Sequence, residues 1–292
     1  MSKNDGYVVG TSKIIDHGPD CVRWNLVILG DGYRDCELMK YHTDVQNFLT
    51  AFRTTPPFDE LFRGINVYRI DVVSAESGAD DPIDCECGTG ATSRTYFDAR
   101  FCGTGRDRHY LTVDYDLATS VALAQVSFCW SNILVFVNSC EYGGSGKPGK
   151  RIATCSTHVL SPQIAIHELG HSAFKLDDEY DGGYDVLGEP VAPNVTLDTN
   201  RATNKWRDLI ADTTPMPTQC NPNSKGSTCV SPGTPPLLDA VGTYEGARNS
   251  NCYVYRPFPD CYMRTLGLPF CPVCTDVIRR TLKPYLPLES IS

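Results

Sequence analysis

Two histidines four residues apart, with a glutamate beside the first, constrain this chain more than any other feature: His167-Glu168-Leu169-Gly170-His171. In an α-helix, residues four apart lie about 40° apart around the axis, so both imidazoles project from one face. The flanks Ile164-Ala165-Ile166 and Ala173-Phe174 are apolar and helix-compatible, as in a helix that crosses a core. Ser161 is a suitable N-cap, and Pro162 suits the first turn, where its missing N–H costs nothing. The pattern predicts a helix from Gln163 to near Leu176.

Two imidazoles on one face can share a Zn²⁺ ion. A carboxylate beside the first can then take a proton from a metal-bound water whose pKa the ion has lowered to ~7. Catalytic zinc takes three protein ligands and keeps an open position. Asp177-Asp178-Glu179-Tyr180 follows six to nine residues after His171 and can fold back once the helix ends. Acidic groups at a helix C-terminus oppose the macrodipole, which favours a ligand role over a solvated acidic end. The competing reading is an ordinary helix with two buried, hydrogen-bonded histidines. His17, His42, His109 and His158 have no such neighbours and are assigned no role.

Along the rest of the chain, Trp24–Arg34 reads as a buried strand ending in a glycine turn. Residues 36–63 carry apolar groups at roughly helical spacing (Leu38, Met39, Val45, Phe48, Leu49, Phe52) until Pro56 and Pro57 break the helix. A shorter helix through Leu61 and Phe62 follows. Ile65–Val73 and Asn132–Asn138 are strands, Leu117–Cys129 is a helix, and Arg151–Cys155 is a short strand. Residues 75–115 read as a long loop stapled by cysteine, and Tyr142-Gly143-Gly144-Ser145-Gly146 as a turn. This alternation predicts a mixed α/β catalytic subdomain over 1–180. Residues 181–292 are dense in Pro, Gly, Thr and Asn and predict an irregular cysteine-rich subdomain closed by a helix, Val273–Leu282, the two making one catalytic unit.

Acidic residues outnumber basic ones 35 to 26, so the net charge is −9, which argues against nucleic-acid partners and anionic membrane surfaces. No apolar run is long enough to span a membrane. The first twenty residues carry no apolar signal-peptide core. Fourteen dispersed cysteines suit a disulfide-bonded, extracytoplasmic or secreted protein. Against that stands Cys271-Pro272-Val273-Cys274, which has the spacing of a zinc hook. Asn194-Val195-Thr196 is a glycosylation sequon, relevant only in a eukaryotic secretory host.

The stretch HELGHSAFKLDDEY, His167 to Tyr180, resembles the signature of the IgA-peptidase-like zinc metallopeptidases, a branch of the metzincins. Weaker matches are Gly30-Asp31-Gly32-Tyr33, Tyr68–Ser74 with Glu76-Ser77-Gly78, and Cys261-Tyr262-Met263-Arg264. The resemblance implies an α/β (α+β) metzincin-like zincin fold with a mixed, twisted sheet, and a zinc endopeptidase acting on a protein or peptide substrate. It implies Zn²⁺ on His167, His171 and a third carboxylate, with Glu168 as catalytic base. It implies Met263 in a methionine turn and a sheet edge at Ile152, Ala153 and Thr154 that pairs with substrate. Strict metzincin spacing, with a glycine three residues after the second histidine, would make Asp177 the third ligand, but Phe174 occupies the glycine position. A turn one residue longer, through Lys175, implies Asp178 instead, with Asp177 and then Glu179 as alternatives. A different class of function, a binding or adhesive module stabilised by structural zinc, would leave Glu168 without a task.

Overall fold

A computed structural model describes residues 5–103, 105, 107–126, 130–223, 229 and 239–287. The described residues fall into two units, one from Met1–Ala173 with Leu282–Ser292, the other from Phe174–Thr281.

The first unit is organised by its apolar runs. Its elements in chain order are β1 (Gly6–Ile15), β2 (Trp24–Asp31), α1 (Leu38–Thr54), α2 (Phe58–Leu61), β3 (Ile65–Ser74), α3 (Tyr115–Gln125), β4 (Asn132–Val137), β5 (Gly144–Lys147), β6 (Ile152–Ser156) and α4 (Ser161–Phe174). The strands form a mixed sheet in the order β1-β3-β2-β4-β6-β5. β2, β4 and β6 are buried at every residue. A strand covered on both faces reads as a continuous apolar run and suits the parallel interior of a sheet. Accordingly β3, β2, β4 and β6 run parallel. The two outer strands, β1 and β5, are antiparallel to their neighbours. β1 alternates, with Tyr7 and Val9 exposed, as an edge strand with one wet face does.

Helices cover both faces. On one, α1 buries Tyr41, Val45, Phe48, Leu49 and Phe52, the stripe that a period of 3.6 demands, and Phe48 meets Phe136 of β4 edge-on. On the other, Val27, Leu29, Ile133, Val135 and Val137 pack with Ala118, Val121 and Ala122 of α3 and with Phe97 and Phe101 from the long loop. That loop is stapled by a disulfide, Cys85–Cys102. Its other anchor is Asp31, at the end of β2. The Asp31 carboxylate accepts hydrogen bonds from Phe97 N, Ala99 N, Thr95 Oγ1 and Ser74 Oγ at 2.8–3.1 Å. Complete burial pushes its pKa up to about 6 against these four favourable bonds.

Two sequence expectations need correction here. The segment read as a turn at Tyr142–Gly146 contains a strand, β5. Consequently Ile152, Ala153 and Thr154 are not at the sheet edge. They lie in β6, which pairs with β4 on one side and β5 on the other, and β5 is the outermost strand. Glycine-rich composition signals turns, whereas strand pairing here is decided by a partner that composition does not reveal.

The second unit contains the hairpin β7 (Tyr244–Ala247) and β8 (Ser250–Arg256). Arg248 and Asn249 connect them, both with positive φ, as a tight primed turn requires. The tip of this hairpin holds the segment after α4, with Arg248 N donating to Asp178 O and Asn249 N to Tyr180 O. Val195, Ala247 and Val254 form a small core, and the Trp206 indole donates to Gly242 O. A second disulfide joins Cys220 and Cys229, and the helix α5 (Pro272–Leu282) follows. No described helix is long and apolar enough to cross a membrane.

Candidate metal centre

α4 carries the histidine pair. Its spacing brings His167 Nε2 and His171 Nε2 to 3.1 Å, with the rings nearly perpendicular at 84°. Two nitrogens that share one tetrahedral zinc at 2.0–2.1 Å sit about 3.3 Å apart, so the pair is spaced for a common ion. His167 is buried and His171 half-buried, which limits the water that competes for either ring.

The close approach of β5 to this helix depends on two glycines, Gly144 and Gly146, that the sequence places in a turn. A Cβ on Gly144 would lie 2.8 Å from Glu168 Oε1 and from Ile164 Cγ2. A Cβ on Gly146 would lie 2.5 Å from His171 Cβ and 2.6 Å from Glu168 O. Successive strand residues alternate faces. Ser145, between the glycines, points the other way, donating to Leu111 O at 2.6 Å and meeting Thr154 Oγ1 at 2.9 Å. The period-two glycines in Gly144-Ser145-Gly146 are the signal that could have identified the strand and its bare face.

α4 ends at Phe174, and the next residue, Lys175, has φ +58°. A left-handed residue just past a helix end reverses the chain, and glycine is the usual occupant. The segment that follows separates the three acidic candidates. Asp177 accepts from Arg248 Nε at 3.2 Å and from Asp178 N at 3.0 Å. Asp178 is half-buried, and its carbonyl accepts Arg248 N at 2.9 Å. Glu179 is fully buried, accepts from Asn194 Nδ2 at 2.9 Å, and belongs to a different group with Cys261, Cys271 and Cys274. Met263 is fully buried, and its carbonyl accepts Glu179 N at 2.9 Å. Asn194 itself is fully buried, bonded to Asp177 O and Glu179 Oε1, so the sequon offers no exposed acceptor.

A third set of ligand types, Cys220, Cys229 and Glu245, is closed to metal because the two sulfurs are joined. Glu245 accepts Asn221 N and Tyr253 N instead. The cysteines are more varied than a disulfide framework predicts. Two bridges form among the described residues, Cys21, Cys36, Cys87, Cys140 and Cys155 keep thiols, and Cys129 lies outside the described residues.

A profile of the IgA Peptidase M64 family matches residues 13–227, a span that includes β2 to β6, α4 and the acidic turn. No curated protein matches the chain.

Proposed function

The chain belongs to the IgA peptidase M64 family and is a peptidase; we propose that it is a zinc endopeptidase in which His167, His171 and Asp178 hold the ion and Glu168 is the general base. The observation that carries this reading is the 3.1 Å separation of the two Nε2 atoms on α4, which matches two nitrogens on one tetrahedral ion. When bound, the ion supplies a Lewis acid that acidifies a water and polarises the scissile carbonyl.

The protein's own residues do the rest. Glu168 takes the water's proton on its carboxylate and passes it to the departing amine. Its position beside His167 in sequence keeps it at the ion while leaving it out of the ligand set. The bare glycine face of β5 lets this carboxylate lie close against the sheet edge. β5 is also where an extended substrate would add as a further strand. Its Gly144 end is already engaged by His109 O and Leu111 N, so the peptide would run along the rest of the strand. Met263 is assigned to the methionine turn on the family pattern. The two disulfides suit an oxidising compartment, and we assign the protein an extracytoplasmic location on that basis.

The test is Glu168→Gln in protein never exposed to chelator. The expected outcome is loss of protein cleavage, by ~10²-fold or more, with metal content unchanged. Cleavage that survives both this substitution and metal removal would overturn the mechanism.

A further inference from the structure

The second unit contains four buried ligand-type side chains that the peptidase reaction does not use. Glu179, Cys261, Cys271 and Cys274 are almost completely buried, and their ligand atoms lie within 4.8 Å of one another. We propose that they bind a second, structural metal ion of the zinc class, with three thiolates and one carboxylate completing a closed tetrahedral site.

Four observations support it. First, Glu179 is fully buried, and its Oε2 has no hydrogen-bond partner. A buried carboxylate oxygen left without a partner is costly, and a cation in the centre of the group satisfies it. Secondly, the sulfurs converge on that carboxylate, with Cys274 Sγ 3.2 Å and Cys271 Sγ 3.9 Å from Glu179 Oε1. Thirdly, backbone amides already point at sulfur. Cys271 N donates to Cys261 Sγ at 3.2 Å and Cys274 N to Cys271 Sγ at 3.4 Å. Such bonds stabilise thiolates, and Cys271 stands immediately before α5, where the helix dipole does the same. Fourthly, positive charge is at hand: Arg264 Nη1 donates to Glu179 O at 3.1 Å. That matters because a 2+ ion with three thiolates and a carboxylate leaves a net charge of about −2, as in a four-cysteine zinc site.

The competing account is a cluster of reduced cysteines acting as small apolar residues. It leaves the Glu179 oxygen unexplained. A tetrahedral zinc with sulfur at about 2.3 Å has sulfurs about 3.8 Å apart, within the 4.8 Å that bounds the separations in this group. Binding displaces the three thiol protons to solvent, with no change in oxidation state. The consequence for the fold is a clasp. Glu179 directly follows Asp178, and Cys261 lies two residues before Met263, so one ion ties the acidic turn, the Met263 segment and the start of α5 together.

The experiment uses the full chain, purified without chelator and under mild reduction. Metal analysis is expected to give about two ions per chain, and zinc X-ray absorption a sulfur shell at about 2.3 Å alongside the nitrogen and oxygen shell. Cys274→Ser and Glu179→Gln should each lose about one ion and the sulfur signature, while His171→Ala keeps both the sulfur shell and one ion. His171→Ala therefore separates failure of the catalytic assignment from failure of this one. Should the variants not fold, the absorption measurement on the unaltered protein decides alone. Absence of a sulfur shell, or a disulfide between any two of Cys261, Cys271 and Cys274 in the purified protein, overturns the proposal.

Discussion

Replacing Gly146 by alanine tests whether the bare face of β5 sets the metal-binding geometry. The added methyl would lie 2.5 Å from His171 Cβ and 2.6 Å from Glu168 O, whereas ordinary contact begins at 3.4 Å. Neither obstacle is the free end of a flexible side chain, so β5 and α4 must separate by close to 1 Å. Overpacking of this kind costs about 1–3 kcal/mol of stability. The larger effect falls on function, because His171 moves with its helix. A displacement of about 1 Å exceeds the tolerance of a metal site and costs activity on the order of 10²-fold. Gly144→Ala is the internal comparison. Its methyl meets the Glu168 carboxylate end and the Ile164 Cγ2 methyl at 2.8 Å, and the carboxylate can swing aside. That variant should keep its metal while Glu168 turns from its working position, so turnover falls without metal loss. The assay is the metal-to-protein ratio after gel filtration, measured beside thermal unfolding and cleavage of an unfolded reporter protein. Full metal content and unaltered cleavage in Gly146→Ala would refute the reasoning.

Alanine at Asp178 should abolish metal retention at the α4 site and cleavage, while Asp177→Ala, which loses an ion pair with a half-exposed Arg248, should cost less than about 1 kcal/mol of stability and little activity; the reverse pattern would restore strict metzincin spacing. The pKa of Asp31 is raised by burial from 3.8 to about 6, so the fold binds its proton more tightly than the unfolded chain does. Stability from this group is fully present below about pH 4 and lost as pH rises through 6, a change of about 3 kcal/mol. Unfolding of the native protein and of Asp31→Asn, followed by denaturant titration from pH 4 to 7, should differ in slope in that window, and equal slopes would show that the carboxyl titrates normally.

What the sequence determined by itself was local. The four-residue spacing of His167 and His171 dictates a shared helix face, because helical geometry relates those two positions whatever surrounds them. The largely apolar runs at Trp24–Asp31 and Asn132–Val137 announce strands covered on both sides. The apolar, helix-compatible run up to Phe174 sets the length of α4, and Lys175 beyond it has φ +58°. Other features needed the tertiary structure because their partners are distant in the chain. β5 is four residues long and glycine-rich, and only its pairing with β6 makes it a strand and moves the sheet edge away from Ile152–Thr154. β1 is defined by its pairing with β3, against which its register shifts twice. Glu179 meets Cys271 and Cys274 across 92 and 95 residues, a separation at which no local periodicity operates. The same packing removes Asn194 from the surface and makes it a partner of the acidic turn. Local spacing determines which side chains share a face, and long-range burial decides which faces meet.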